Sequence, residues 1–499
     1  MARVRKTTAS VETTPKQALT GAIKAARDIM RKDAGLNGDV DRIPQLAWIL
    51  FLKAFDDMES RREITGRQYR PAIEAPYRWR DWAGDPIGGR TGESLLGFVN
   101  AELLPYLRGL TGSGELDPRD VLAAVFKETY NRMLSGYLLR EVVNKANTIN
   151  FQSSDDIHTL GHLYESMLKE MRDAAGDAGE FYTPRPVIRF IVQQVAPRLG
   201  DVILDPAAGT GGFLVEALEE LRPKAKTVAQ WQELQRNLRG IEKKPLPYLL
   251  GMMNLMLHEV GQPNVRRENA LASPLNQIRA ADRVDVIVTN PPFGGEEERS
   301  IQANFSESTR TGDTALLFLQ LILRLLKPGG RCGMVVPNGV LFGDGVAARI
   351  KERLLQECDL HTIVRLPPGA FTPYTPIPTN LLFFEKTGPT RAVWYYDLLP
   401  PEGRKNYAKT RPMRFEEFAE CQAWWGGPER SRRVDGDRAW RVPIGTIRDS
   451  NWNLDLKNPR RADDLANRSP EELIAELMAT EREIVEVLEE VDREFRRRL

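Results

Sequence analysis

Between residues 202 and 385 short apolar runs alternate with helical patterns, and no other feature restricts the fold of this chain so tightly. The runs lie at 202–205, 238–242, 284–289, 332–337, 362–366 and 381–385, with one more at 392–398. Strand-length runs separated by helix-length segments read as repeated βαβ units. The fold class that satisfies them is α/β, a doubly wound and mostly parallel sheet with helices on both faces. Such sheets take their ligands in the crevice beyond the carboxyl ends of the strands, so the residues closing each run are where chemistry is expected.

The flanks differ in character. Residues 1–152 read as an all-helical N-terminal domain: Thr14 and Pro15 open a helix carrying Leu19, Ile23, Ala26 and Met30 on one face. A second helix, at about 44–58, is apolar nearly all round through Leu46, Trp48, Ile49, Leu50, Phe51 and Phe55, the pattern of a buried element. Residues 63–92 read as loop, and helical patterns resume at 94–107 and 118–134. The α/β pattern occupies 153–400. Residues 401–469 read as irregular, and 470–499 as a helix whose Ile474, Leu477, Ile484, Leu488, Val491 and Phe495 approximate a heptad seam interrupted by Glu481. That seam calls for a partner.

Composition removes several classes of function. Charged residues are 28% and mean hydropathy is -0.40, a globular balance, and no apolar run reaches the roughly 18 residues of a membrane span. The start of the chain, with Arg3, Arg5 and Lys6 followed by threonines and serine, lacks the apolar stretch of a secretory signal, so a cytoplasmic location without membrane attachment is expected. Lys and Arg number 70 against 69 Asp and Glu, so no overall field draws the chain onto nucleic acid; such contact has to come from a local patch or a partner subunit. Cys332, Cys358 and Cys421 are far apart and form no C-x-x-C, which fits reduced thiols rather than a disulfide framework or zinc cluster.

Three motifs close strands. The first is Asp205-Pro206-Ala207-Ala208-Gly209-Thr210-Gly211-Gly212-Phe213, between the first run and an apolar helix. Glycines at a strand-to-helix turn let backbone approach a ligand, and the helix start offers unpaired N–H groups. A tight βα turn alone would also use them. The spacing is neither G-x-G-x-x-G nor the P-loop pattern, and an acidic residue at the strand end suits an ammonium group better than a pyrophosphate. The second is Glu242, about thirty residues on, a candidate acceptor for a ribose diol. Together they describe S-adenosylmethionine better than NAD. The third is Asn290-Pro291-Pro292-Phe293, directly after 284–289. Consecutive prolines leave carbonyls without competing donors, so the Asn290 amide oxygen and the Pro291 carbonyl can both accept from one exocyclic amine, while Phe293 can stack on an extruded base. An ordinary Asn-Pro loop would account for that string if it stood alone.

The combination resembles the amino-group DNA methyltransferases, with D-P-A-x-G-x-G as cofactor motif and N-P-P-[FY] as catalytic motif. With Gly179-Glu180-Phe181-Tyr182-Thr183-Pro184-Arg185-Pro186-Val187 upstream, it closely resembles the modification (M) subunit of type I restriction-modification systems over residues 154–386. The resemblance implies a class I S-adenosylmethionine-dependent methyltransferase fold and an adenine-N6 DNA methyltransferase. It implies that Glu180, Phe181, Tyr182, Thr183, Pro184 and Arg185, with Asp205, Gly209, Thr210, Gly211 and Gly212, contact the cofactor. Glu242 would hold the ribose, and Asn290, Pro291, Pro292 and Phe293 the target adenine. Many relatives carry an acidic residue near the third strand for the cofactor adenine; this chain has Glu268-Asn269-Ala270-Leu271, which leaves Asn269 for that role. The partners implied are double-stranded DNA, a specificity (S) subunit, a restriction (R) subunit and a second copy of this chain.

Other features have plainer readings beside functional ones. The loop 367–378, with Phe371 and Tyr374, is either a further wall for a flipped base or a Pro-rich connection. His158 and His162 lie four apart on a helix but without a third ligand, so no metal site is expected. Residues 424–441 mix Trp424, Trp425 and Trp440 with arginines, a composition fitting either nucleic acid or a solvated loop. The leading function is methyl transfer from S-adenosylmethionine to adenine N6 within a type I complex, since little chain follows Lys386 for sequence readout. A stand-alone adenine methyltransferase and a protein-glutamine methyltransferase, whose substrate amide is also planar, are the alternatives, and a vestigial binding scaffold is a fourth reading.

Overall fold

The computed structural model describes residues 15–65, 69–113, 117–149, 151, 183–372, 375, 377–402, 404, 407 and 411–460, with isolated positions 478, 481, 482 and 485. Its centre is a nine-stranded sheet: β1 (Ile203–Asp205), β2 (Leu238–Ile241), β3 (Asn264–Arg266), β4 (Val284–Thr289), β5 (Leu326–Pro337), β6 (Asp359–Arg365), β7 (Thr379–Glu385), β8 (Ala392–Asp397) and β9 (Ala439–Pro443). Their order across the sheet is β3-β2-β1-β4-β5-β7-β6-β8-β9. The pairs from β3 through β5 are parallel, β7 lies antiparallel between β5 and β6, β8 is parallel to β6, and β9 is antiparallel at the edge. The doubly wound α/β architecture is therefore the one the alternating runs require.

Both faces of the sheet are covered, which is why its strands read as nearly continuous apolar runs rather than alternating ones. Val286, Val288, Val335, Leu381 and Phe383 point into one core, and Ile287, Met334, Val336, Leu382 and Phe384 into the other, the two-residue period of a pleated strand. The helical N-terminal region shares the first core. Its helices include α1 (Pro15–Met30), α2 (Asp39–Thr65), α3 (Pro118–Phe126) and α4 (Gly136–Asn147). Helix α2 is longer than the apolar stretch 44–58, because the Gly38 carbonyl already accepts from Asp41 and Arg42 and starts the spiral ahead of Pro44.

Five further helices matter for the site: α5 (Arg185–Val195), α6 (Gly212–Leu221), α7 (Val228–Asn237), α8 (Pro245–Leu257) and α9 (Thr314–Leu325). Every residue of α8 from Pro247 onward is buried, as expected for a helix pressed between α2 and the turn that follows β1. Arg62 and Arg267 pin the two regions together. The Arg62 guanidinium donates to the Gly261 carbonyl at 2.7 Å, and Arg267 donates to the Ala124 carbonyl at 2.8 Å while pairing with Glu128 at 2.6 Å.

The structure departs from the sequence reading beyond residue 400. The stretch 401–469, read as irregular, contributes β9, so the sheet does not close at β8. Its tryptophans, with Arg430 and Arg433, are built into the scaffold. Trp440 is buried and stacks on Tyr395, with ring centroids 5.1 Å apart, and Trp425 packs edge-on against Phe383 at 4.9 Å. Buried Arg433 lies over Trp424 and Trp425 and donates to Thr362 Oγ1 at 2.7 Å; Arg430 pairs with Glu385. Arg432 and Arg441 face solvent. Of the C-terminal helix read at 470–499, only Met478, Glu481, Arg482 and Val485 are described, all helical and exposed; its seam lies outside the described residues, as do His158 and His162. Among the described residues no helix is long and apolar enough to cross a membrane.

Candidate active site

The turn after β1 is built for close approach. Gly209 and Gly211 have φ of 52° and 76°, in the left-handed region where side chains other than hydrogen are strained. A Cβ at Gly212, the first residue of α6, would stand 2.7 Å from Ile188 Cδ1. From below, α8 presents Gly251, where a Cβ would sit 3.1 Å from the Gly209 carbonyl oxygen, and Asn254, whose Nδ2 donates to the Thr210 carbonyl at 2.9 Å. Asn254 is fully buried, a polar residue in an otherwise apolar helix, and the turn is what it serves. Above, Arg185 donates to the Gly212 carbonyl at 3.3 Å.

Two carboxylates face this turn. Glu242, just past β2, accepts from the Gly209 N–H at 2.8 Å and the Lys244 N–H at 2.7 Å, one on each oxygen. It is 6% exposed, and burial pushes its carboxyl above the ordinary range while the backbone donors pull the other way. Each oxygen still has a lone pair for a ligand hydroxyl. Asp205 is 1% exposed; its Oδ1 accepts from Thr289 Oγ1 at 2.7 Å and from the Ala207 N–H at 3.1 Å. Burial pushes its carboxyl up to about 7, against the lowering effect of those two bonds, and the charge of Glu242 adds to the rise. A cation brought beside this pair would be welcomed electrostatically.

Thr289 ends β4, the parallel neighbour of β1, and the next residue is Asn290. The Asn290 Nδ2 donates to Thr183 Oγ1 at 2.9 Å, and its Oδ1 is buried without a partner among the described residues. A buried acceptor left unmatched is costly unless a ligand completes it. Pro291 is buried, and Phe293 meets Phe371 edge-on with centroids 5.8 Å apart. Phe371 is itself 2% exposed, so it backs Phe293 from the interior rather than walling an open space. The following glycines are moored to α9, since the Gly295 carbonyl accepts the Thr314 hydroxyl at 2.7 Å.

These elements line an open cleft at the point where the strand order reverses between β1 and β4. Of the residues singled out from the sequence, Thr183, Arg185, Asp205, Gly209, Thr210, Gly212, Glu242, Asn269, Asn290 and Pro292 line it. Gly211 caps α6, and Pro184, Pro291 and Phe293 stand behind or beside the wall. Glu180, Phe181, Tyr182 and Tyr374 lie outside the described residues. Asn269 is on the wall, but its amide oxygen accepts from the Leu271 N–H at 3.0 Å, so that oxygen has one lone pair committed to its own turn. Sequence reasoning missed Thr289, Asn254, Ile188, Phe318 and Glu297, which reaches Lys243 at 3.3 Å across the cleft mouth. A lone Asn in the apolar stretch 245–257 was the legible signal for Asn254; Phe318, within an apolar helix, gave none.

Residues 155–467 match the N-6 DNA Methylase family, and residues 19–146 match the HsdM N-terminal domain. The chain is 46% identical over 474 residues to the type I restriction enzyme EcoEI methylase subunit of Escherichia coli, covering 94% of this chain and 96% of that one. A modification subunit assigned to a type I restriction enzyme of Vibrio vulnificus YJ016 superposes with a TM-score of 0.82 at 51% identity, over 92% of this chain and all of that one. A chain from a type I R-M system studied for complex assembly and conformational transition gives 0.80 at 41% identity, over 96% and 98%.

Proposed function

This chain belongs to the N-6 DNA methylase family, among the methylase subunits of type I restriction enzymes, and we propose that it moves a methyl group from S-adenosylmethionine to the N6 amine of adenine in double-stranded DNA. The observation that carries this reading is the Asn290 amide, whose buried Oδ1 has no partner among the described residues, in the same cleft as the Asp205 and Glu242 carboxylates.

The cleft fits the cofactor by its donor set. Two acidic groups at neighbouring strand ends suit a molecule with a cationic amino acid end and a ribose, the glycine turn makes room for it, and Ile188, Ile241 and Phe318 give apolar walls for a purine. Glu242 would accept from the ribose, with Asn269 and the backbone beside it on the base, and Asp205, Thr183 and Arg185 would lie toward the methionine end. When bound, S-adenosylmethionine supplies an electrophilic methyl carried on a sulfonium.

The chain's own residues prepare the nucleophile. An adenine amine is poor because its lone pair is delocalised into the ring. Asn290 Oδ1 and the Pro291 carbonyl accept its two hydrogens and draw density back onto nitrogen, and Phe293, braced by Phe371, stacks on the extruded base. Both prolines lack an N–H, so no backbone donor competes for those acceptors.

The natural assembly is a complex with a specificity subunit, a restriction subunit and a second copy of this chain. Balanced charge supports this, because it leaves attraction to DNA to a local patch or a partner. The test is nucleoside analysis of DNA incubated with the cofactor and this chain, with and without its specificity subunit. N6-methyldeoxyadenosine formed only with both supports the reading; efficient site-specific methylation by the chain alone overturns the subunit part of it.

A further inference from the structure

The Asn290 side chain is nearly symmetric in shape, so only its hydrogen-bond partners decide which end meets the target amine. With Nδ2 on Thr183 Oγ1 the remaining end is the acceptor Oδ1; turned over, it would be an NH2, which repels an amine's hydrogens. Thr183 does not enforce either arrangement by itself, because a hydroxyl both donates and accepts. If its proton points at Asn290 the amide turns over; if its proton is taken elsewhere, the oxygen has only lone pairs to offer and the amide holds the productive way round.

Thr183 lines the cofactor cleft, and two residues on, Arg185 grips the Gly212 carbonyl at the start of α6. The short run 183–185 thus touches the catalytic amide at one end and the glycine turn at the other. We propose that Thr183 is a positioning residue that makes the catalytic amide answer to cofactor: an acceptor group of bound S-adenosylmethionine takes the Thr183 hydroxyl proton, and the hydroxyl oxygen then holds Asn290 with Oδ1 free for the adenine amine. The inference rests on the proposed function of the cleft and adds to it a reason for the target base to be captured only when the methyl donor is present.

The test uses this chain assembled with its specificity subunit, and DNA with 2-aminopurine next to the target adenine to report its extrusion. In the native protein the non-reactive analogue sinefungin should strengthen extrusion and DNA affinity several-fold, and less so when the target is purine, which lacks the amine. Thr183→Val keeps the shape and removes both hydroxyl functions; it should abolish this coupling and lower the single-turnover methylation rate at saturating cofactor roughly tenfold, the scale of one buried hydrogen bond. Thr183→Ser should restore both, and Thr183→Ala should reproduce the loss if valine disturbs the packing. Unchanged coupling in Thr183→Val and Thr183→Ala overturns the proposal. So does a defect that disappears entirely at saturating cofactor, which would make Thr183 a cofactor ligand and nothing more. Activity surviving in Asn290→Ala would instead remove the proposed function itself.

Discussion

Replacing Glu242 by alanine tests whether one carboxylate both shapes the glycine turn and holds the ribose. The side chain accepts from the Gly209 and Lys244 N–H groups at 2.8 and 2.7 Å. Hydrogen bonds to a charged group contribute roughly 1.5 to 3 kcal/mol each. Against that stands the cost of burying the charge, which the raised pKa registers, and water entering the open cleft can satisfy the freed N–H groups. The expected net loss of folding stability is therefore small, about 1 to 2 kcal/mol. Loss of the ribose acceptor should weaken cofactor binding by a further ~1 to 3 kcal/mol, about 5- to 150-fold in Kd. Urea unfolding of the free protein gives the first quantity and calorimetric titration with S-adenosylmethionine the second. Glu242→Gln separates them: it keeps one acceptor and turns an NH2 on the other backbone donor, so it should lose stability about as alanine does while retaining part of the ribose contact. A folded Glu242→Ala protein with unchanged cofactor affinity would refute the ribose assignment.

Three other perturbations follow from the same geometry. Because burial raises the Asp205 carboxyl to about 7, the free folded protein holds that proton more tightly than the unfolded chain. The resulting stabilisation is full below pH about 4 and is lost as pH rises through 7. A cationic ligand favours the ionised form, so S-adenosylmethionine should bind more tightly from pH 6 to pH 8 and release protons on binding; an Asp205→Asn protein showing the same pH dependence would contradict this. Asn254→Ala removes the 2.9 Å bond to the Thr210 carbonyl and should cost about 1 to 2 kcal/mol of stability, with a weaker cofactor Kd. Urea unfolding that shows no loss would deny Asn254 its role under the turn. Phe293→Ala should weaken capture of the extruded base by roughly 1 to 3 kcal/mol without altering cofactor affinity, and equal loss in both would place Phe293 in the cofactor site instead.

Much of the candidate site was legible because its residues sit where strands end. Asp205, Glu242 and Asn290 each follow an apolar run, and the parallel order β2-β1-β4 brings the three ends together. What escaped was set by tertiary contact. Strand β9 alternates only briefly, with Arg441 and Pro443 exposed, and is held by pairing with β8 rather than by its own pattern. Arg433 looks like a surface charge until Thr362 and two indoles surround it. Phe371, in a loop that reads either as a wall for a base or as a Pro-rich connection, is buried against Phe293, a placement that only tertiary packing decides. Thr289 was hidden for a different reason: its partner Asp205 is far away in sequence, and threonine at the end of a strand is unremarkable without the neighbouring strand beside it.

The central claim is that the Asn290 amide activates an adenine amine for methyl transfer within an assembled complex. The direct measurement incubates DNA and the specificity subunit with S-adenosylmethionine bearing a deuterated methyl, comparing the native chain with Asn290→Ala, and identifies the modified nucleoside by mass spectrometry. The account predicts deuterated N6-methyldeoxyadenosine from the native complex and essentially none from Asn290→Ala, whose cofactor affinity stays close to native. Label in cytosine or on protein glutamine, or undiminished adenine methylation by Asn290→Ala, would contradict it.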